Sequence, residues 1–149
     1  MEMSLRRLSL TATLHCLTGC AIGEILGMII GAYFGIHDAA AIGLSVVLAF
    51  IFGYSFTVIP LLKHMHFKKA VSTALASDTV SIAVMEITDN IIIIIIPGAL
   101  AAGLTTALFW GSLTISLIVA FIVAFPVNYY LIKRGKGHAV VHSHHQHGT

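Results

Sequence analysis

Residues 10–36 read LTATLHCLTGCAIGEILGMIIGAYFGI, and Glu24 is the single charged side chain in this apolar stretch. An α-helix needs about 20 consecutive apolar residues to cross the hydrocarbon core of a bilayer. The stretch is therefore long enough to span a membrane with some tilt. Three more apolar stretches of similar length follow, at about residues 39–62, 71–96 and 104–132. Together they predict an all-α bundle of four transmembrane helices.

The composition of the whole chain excludes a soluble globular domain. Of 149 residues, 58% are apolar and only 9% are charged, and the mean hydropathy is +0.97. Soluble domains carry about 25% charged residues to cover their surface. A length of 149 residues leaves room for about four spans and for no separate catalytic domain. We therefore expect the lipid bilayer as the surroundings of this chain.

The sequence also argues against two classes of function. Basic residues stand at the ends of apolar stretches and form no cluster that would suit a nucleic acid. Catalytic motifs such as HExxH, GxSxG and a phosphate-binding glycine loop do not occur. We expect neither nucleic-acid binding nor enzymatic activity.

The basic residues predict the orientation of the bundle. All eight fall before the first span, between the second and third, or after the fourth; they are Arg6, Arg7, Lys63, Lys68, Lys69, Lys133, Arg134 and Lys136. Lys and Arg in short loops stay on the cytoplasmic side of a membrane. Both termini are therefore predicted to be cytoplasmic. Residues 1–137 would form the membrane domain, and residues 138–149 a disordered, histidine-rich tail.

Glycines recur at every fourth residue of the first span, at Gly19, Gly23, Gly27, Gly31 and Gly35. This spacing places them on one stripe of a helix, where the missing side chains let another backbone approach closely. The stripe predicts a packing face, which we expect to meet the third span. Cys16, Cys20 and Glu24 follow the same four-residue step, so they are expected to face protein and not lipid.

Polar side chains form a second stripe on the third span. Asp78, Met85 and Asp89 project within roughly 40° of one another, with Ser81 on one flank and Glu86 on the other. Acidic side chains at membrane depth are costly and usually face a bundle interior or a watery cavity. The stripe therefore indicates a functional site inside the bundle.

The two stripes are predicted to meet, because spans one and three both run outward from the cytoplasm. At about 1.5 Å per residue, the two cysteines come level with Asp78 and Ser81. Glu24 comes level with Glu86 by the same count. The sequence therefore predicts one site that is formed by side chains of both spans.

Five stretches of the sequence carry a resemblance to a known family: HCLTGCAIGE at 15–24, ASDTVSIAVMEITDN at 76–90, FWGS at 109–112, FPVNY at 125–129 and RGKGH at 134–138. They resemble the bacterial integral membrane family catalogued as domain of unknown function 4396. The resemblance covers nearly the whole chain up to about residue 138. It implies a small multi-span protein of the bacterial inner membrane and supplies no mechanism.

The first functional hypothesis is that the chain binds or moves a transition metal ion, with copper favoured. Thiolate, thioether and imidazole groups form a soft ligand set suited to Cu(I), and here they are His15, Cys16, Cys20 and Met85. Polar residues beside them would guide the ion or couple protons, and these are Glu24, Asp78, Ser81, Glu86 and Asp89. Histidine-rich tracts bind divalent metals, and the predicted tail offers His138, His142, His144, His145 and His147.

Two alternatives stay open. In one, the chain is a structural or assembly subunit whose acids hydrogen-bond between helices or meet charges on a membrane-protein partner. In the other, the acids alone form a proton or cation pathway and the cysteines are dispensable. Four helices enclose little volume, so a full transport path is expected to need a homo-oligomer.

Overall fold

A computed structural model of the protein describes residues 2–134. Four helices follow one another in this range: α1 (Glu2–Phe34), α2 (Asp38–Leu61), α3 (Phe67–Ile95) and α4 (Ala107–Lys133). Over the described residues there is no strand, which confirms the predicted all-α class. The predicted tail histidines lie outside the described residues; they are His138, His142, His144, His145 and His147.

Three of the four helices, α1, α2 and α4, are long and apolar enough to cross a membrane. The helix α3 is not among them. It carries Lys68 and Lys69 in its first turn and three acids further along, at positions 78, 86 and 89. The described chain thus has three membrane-type helices and one long helix with a polar face.

Each helix runs antiparallel to its neighbour in sequence; between α1 and α2, Gly19 lies against Gly53 and Gly27 lies against Ser45. Between α2 and α3, the hydroxyl groups of Tyr54 and Thr79 are hydrogen-bonded at 2.7 Å. Between α1 and α4, Asn128 Nδ2 donates to Thr13 Oγ1 at 3.0 Å, which joins the start of α1 to the end of α4. Helices α1 and α3 consequently run in the same direction.

This arrangement collects the described basic residues at one end of the bundle. All of them are exposed and lie at the start of α1 or α3 or at the end of α2 or α4: Arg6, Arg7, Lys63, Lys68, Lys69, Lys133 and Arg134. We call this end the basic end. The connections 35–37 and 96–106 lie at the opposite end.

The glycine stripe of α1 packs against α2, which corrects the expectation that it meets the third span. A Cβ atom added at Gly19 would lie only 2.7 Å from Cα of Gly53, and one at Gly23 would collide with the backbone of Ala49. The periodicity defines a close-packing face but not the partner of that face. Because three residues join α1 to α2, the two form a tight hairpin around the glycines.

The last two glycines of the stripe have other roles. A Cβ at Gly31 would lie 3.2 Å from the carbonyl oxygen of Ile36, so this glycine makes room for the connection. Gly35 lies beyond the end of α1 with φ +69°, and a Cβ there would contact nothing. Glycine adopts this left-handed conformation without steric cost, so Gly35 ends the helix and is not a packing residue.

The centre of the bundle is packed with small residues and two larger apolar side chains. Its buried members are Cys16, Cys20, Ala49, Ile82, Met85, Ala120 and Ala124, contributed by all four helices. Small side chains let helix backbones approach closely, which is how helices associate in lipid. The polar stripes of α1 and α3 border this core.

Candidate functional site

The polar stripe of α3 is buried inside the bundle. Asp78, Ser81, Met85, Glu86 and Asp89 are each at most 3% exposed. Their spacing of one, three or four residues keeps them on one face of the helix, and that face is turned inward. The helix therefore carries three acids through the interior of the protein.

Residues of α1 face this stripe in register. Cys16 lies beside Ser81 and Asp78. One turn further along, Cys20 lies beside Glu86. Glu24 follows after another turn and faces the carboxyl groups of Asp89 and Glu86. The structure thus brings the two predicted stripes together, and the parallel direction of α1 and α3 keeps their residues level.

We call this arrangement the polar seam. Its members are Cys16, Cys20 and Glu24 of α1 with Asp78, Ser81, Glu86 and Asp89 of α3. All seven side chains are buried, and Glu24 is the most exposed of them at 5%.

Three carboxyl groups of the polar seam have only acidic or neutral side chains beside them in the described part of the chain. Both oxygens of Glu24, of Glu86 and of Asp89 are buried. Glu24 lies beside Asp89, and Glu86 lies beside the thiol of Cys20 and the amide of Asn90. Every described Lys and Arg is exposed at the basic end, so none of them offsets these acids. Burying an unpaired carboxylate costs several kcal/mol. Such groups are stable only when they hold a proton or pair with a cation.

Two polar side chains lie next to the polar seam, one beside Asp78 and one beside Glu86. Ser77 Oγ donates to Oδ1 of Asp78 at 2.7 Å. Asn90 Nδ2 donates to the backbone carbonyl of Glu86 at 2.8 Å. Ser77 and Asn90 were not predicted as site residues, and their only signal in the sequence is that each is next to an acid.

The soft ligands of the metal hypothesis are brought together only in part. Cys16, Cys20 and Met85 belong to one buried cluster. His15 packs its ring against Phe56 of α2, with the ring centroids 5.5 Å apart. Over residues 2–134, no three His, Cys, Asp or Glu side chains form a group suited to hold one metal ion.

A comparison with protein families gives one match. The model of a family described as Domain of unknown function (DUF4396) matches residues 7–137. The chain belongs to this family. The resemblance seen in the sequence motifs is therefore confirmed. Neither the curated proteins nor the solved structures yield a match to this member of the DUF4396 family.

The DUF4396 match includes both stripes of the polar seam and nearly all of the four helices. The seam is thus part of the family domain and not of an appended segment. The family description assigns no activity.

The DUF4396 bundle also encloses a cavity of about 500 Å³ at the end opposite the basic end. Its wall is formed by the second halves of α1 and α3, the first halves of α2 and α4, and the connections 35–37 and 96–106. Glu24 and Asn90 line it, so the polar seam ends at the cavity. The sequence contains no signal for this space, because it depends on how the connections fold over the helix ends.

Proposed function

We propose that the polar seam conducts protons across the bacterial inner membrane, in a bundle of four spans with both termini in the cytoplasm. The observation that carries the proposal is the burial of three neighbouring acids with no lysine or arginine beside them in the described residues. Intramembrane acids of this kind mark ion and proton pathways.

The length of the polar seam supports this role. From Asp78 to Asp89 the helix rises about 16 Å, which is about half of the 30 Å hydrocarbon thickness. Beyond Asp89 and Glu24, the cavity extends the path toward the end opposite the basic end. Protons would enter or leave the acids through this cavity.

The facing carboxyl groups support protons as the conducted species. Glu24 faces Asp89 and Glu86 closely enough to interact with them. Two carboxyl groups hydrogen-bond to each other only when one of them holds a proton, which it can pass to its neighbour. A proton also neutralises the buried charge without requiring the several oxygen ligands that a metal cation needs.

The structural and assembly alternative receives less support from the same residues. A side chain that ties two helices together has a partner, as Asn128 has in Thr13. Glu24, Glu86 and Asp89 instead place three acids next to one another, and neighbouring carboxylates repel each other unless they share protons. Their burial also keeps them from charges on the outside of a partner protein.

The proposed topology rests on the basic end. Lys and Arg gather at the end where α1 and α3 begin, and the rule that positive loops stay inside places this end in the cytoplasm. With α3 as a fourth span, the helices alternate in direction and both termini lie on that side. As in the sequence analysis, we propose a homo-oligomer as the working form.

Proton flux into liposomes tests the proposal. Full-length protein is reconstituted, a membrane potential is imposed, and internal pH is followed with a trapped dye. We expect flux from the wild type and only background from Glu86→Gln and Asp89→Asn. Glu2→Gln is the matched control, because Glu2 is the first residue of α1, about 33 Å along the helix from Glu24.

Three results would refute this function: no flux from the wild type, full flux from both acid variants, or equal losses in Glu2→Gln. The variant with Cys16→Ser and Cys20→Ser separates the two ionic hypotheses. A proton path keeps its flux in this variant, whereas a copper path loses it.

Copper binding is the second candidate, and the observation that favours it is the shared buried cluster of Cys16, Cys20 and Met85. Thiolates and a thioether in one place suit Cu(I). The test is elemental analysis of detergent-purified protein, the double cysteine variant and a chain ending at Gly137. Copper that stays with the shortened chain and leaves the cysteine variant would establish the site. Equal copper in the wild type and the cysteine variant would dismiss it.

A further inference from the structure

The basic end of the bundle carries a large excess of positive charge. All seven described Lys and Arg residues lie there and are exposed. Between Asp38 and Asp78 the sequence contains no acid. The acids of the polar seam are buried, and Asp38 lies at the opposite end of α2. Within residues 2–134, Glu2 is therefore the one acid at the basic end.

Two of the lysines lie at an unfavourable place on α3. Lys68 and Lys69 are in the first turn of this helix, and that turn contains no acid. The N-terminus of a helix bears a partial positive charge, which repels cations and attracts anions. His66 precedes the helix, and its side chain accepts no hydrogen bond from the first turn. An anion beside this turn would offset both the lysines and the helix dipole.

An apolar groove opens beside the same lysines, between the end of α2 and the start of α3. It has a volume of about 360 Å³. Most of its wall is aliphatic or aromatic and consists of Val58, Ile59, Leu62, Phe67, Val71 and Leu75. Tyr54 and Ser55 complete the wall, and the hydroxyl group of each is already hydrogen-bonded within the protein. The groove therefore suits a hydrocarbon chain.

The length of the groove matches one leaflet of a bilayer. From Leu62 to Tyr54, α2 rises about 12 Å. Half of the hydrocarbon core is about 15 Å thick. At the basic end, the groove begins at Leu62 and Phe67, which are followed directly in sequence by Lys63 and Lys68. A molecule with a hydrocarbon chain in the groove would thus place its headgroup at these two lysines.

We propose that this groove binds an anionic phospholipid, whose phosphate pairs with Lys63 and Lys68 and one of whose acyl chains lies between α2 and α3. Basic pockets between transmembrane helices on the cytoplasmic side recognise anionic lipid headgroups. Lys69 provides a comparison within the same turn. At about 100° per residue, Lys68 lies within about 20° of the direction of Leu75 in the groove wall, whereas Lys69 lies about 120° away from it.

Native mass spectrometry of the full chain in a neutral detergent tests the proposal, because it counts the lipids bound to each protein. The protein is titrated with phosphatidylglycerol and, as a control for charge, with phosphatidylcholine that has the same acyl chains. We expect saturable binding of phosphatidylglycerol and much weaker binding of phosphatidylcholine.

Two pairs of lysine substitutions locate the headgroup. Lys63→Gln combined with Lys68→Gln should weaken phosphatidylglycerol about 30-fold, from about fivefold for each lysine near an anionic headgroup. Lys69→Gln combined with Lys133→Gln is the matched control, because it removes the same charge from the same end of the bundle but away from the groove. This control pair should change the affinity far less.

A second comparison tests the groove without changing any charge. Val71→Trp fills the groove and should weaken phosphatidylglycerol, whereas Val80→Trp, at an exposed position of α3 outside the groove, should not. Circular dichroism of each variant verifies that the helices are formed. Glycerol phosphate has the anionic group without the acyl chains, so it should not displace the lipid.

Four results would overturn the proposal: equal affinity for the two lipids, equal losses in the two lysine pairs, unchanged binding in Val71→Trp, or displacement by glycerol phosphate. The lipid site uses the placement of α3 in the membrane from the proposed function, but not the proton pathway. Selective lipid binding without proton flux would refute the pathway alone, and proton flux without selective lipid binding would refute the lipid site alone.

Discussion

A close backbone contact between α1 and α2 gives the sharpest prediction about stability. At Gly19, a Cβ would lie 2.7 Å from Cα of Gly53, whereas ordinary contact begins at 3.4 Å. Gly19→Ala is therefore about 0.7 Å too close to a backbone that cannot rotate away. Overpacking of this kind costs about 1–3 kcal/mol.

The matched control is Gly43→Ala, because a Cβ at this glycine of α2 would meet nothing within 4 Å. Both substitutions gain the same 0.5–1 kcal/mol or so of helix propensity over glycine. The difference between the two variants thus isolates the steric cost. We expect Gly19→Ala to be less stable than Gly43→Ala by about 1–3 kcal/mol.

Reversible unfolding in mixed detergent micelles, followed by the loss of helical circular dichroism, measures the two free energies. If the variants agree within about 0.5 kcal/mol, α1 and α2 are not in backbone contact at Gly19, and the packing described for the glycine face is wrong.

Two further predictions concern polar side chains in the bundle. Asn128→Leu removes the hydrogen bond to Thr13, so the free energy of unfolding should fall by about 0.6–1.7 kcal/mol. In a double-mutant cycle with Thr13→Val, the coupling energy between the two residues should account for most of this decrease. A coupling energy of zero would contradict the contact. Glu86→Gln removes a buried acid that lies beside Asp89 and has no lysine or arginine near it, so thermal unfolding should shift upward while proton flux is lost. A downward shift would indicate a structural role for Glu86.

The order of the helices could be predicted from the sequence, because each apolar stretch is long and separated from the next by polar or turn residues. The predicted bounds of a helix differ from the observed ones where the helix extends beyond the apolar stretch. The first apolar stretch begins at residue 10, but α1 begins at Glu2. Hydropathy marks where apolar residues begin, whereas a helix continues through polar residues such as Arg6 and Arg7 as long as nothing breaks it.

The meeting of the two polar stripes could also be anticipated, because it depends on two regular quantities, the helical rise and the shared direction of spans one and three. The partner of the glycine face could not. A spacing of four residues shows that a backbone approaches α1, but Gly19 and Gly23 carry no information about which helix supplies it. Likewise, no local pattern encodes the cavity beside Glu24, because several elements that are distant in sequence enclose it.

One face of α1 contributes mainly to the stability of the bundle, and another face contributes residues to the polar seam. The glycine face lies against α2 through backbone contacts, and α1 packs far more extensively on α2 than on α3. Cys16, Cys20 and Glu24 lie on the neighbouring face, where they meet the buried acids of α3 in the polar seam. If this division is right, Gly19→Ala lowers stability without removing any acid, and Glu86→Gln removes proton flux without lowering stability. A variant series in which both properties always fall together would mean that the acids hold the bundle together, and the proton pathway would lose its structural basis.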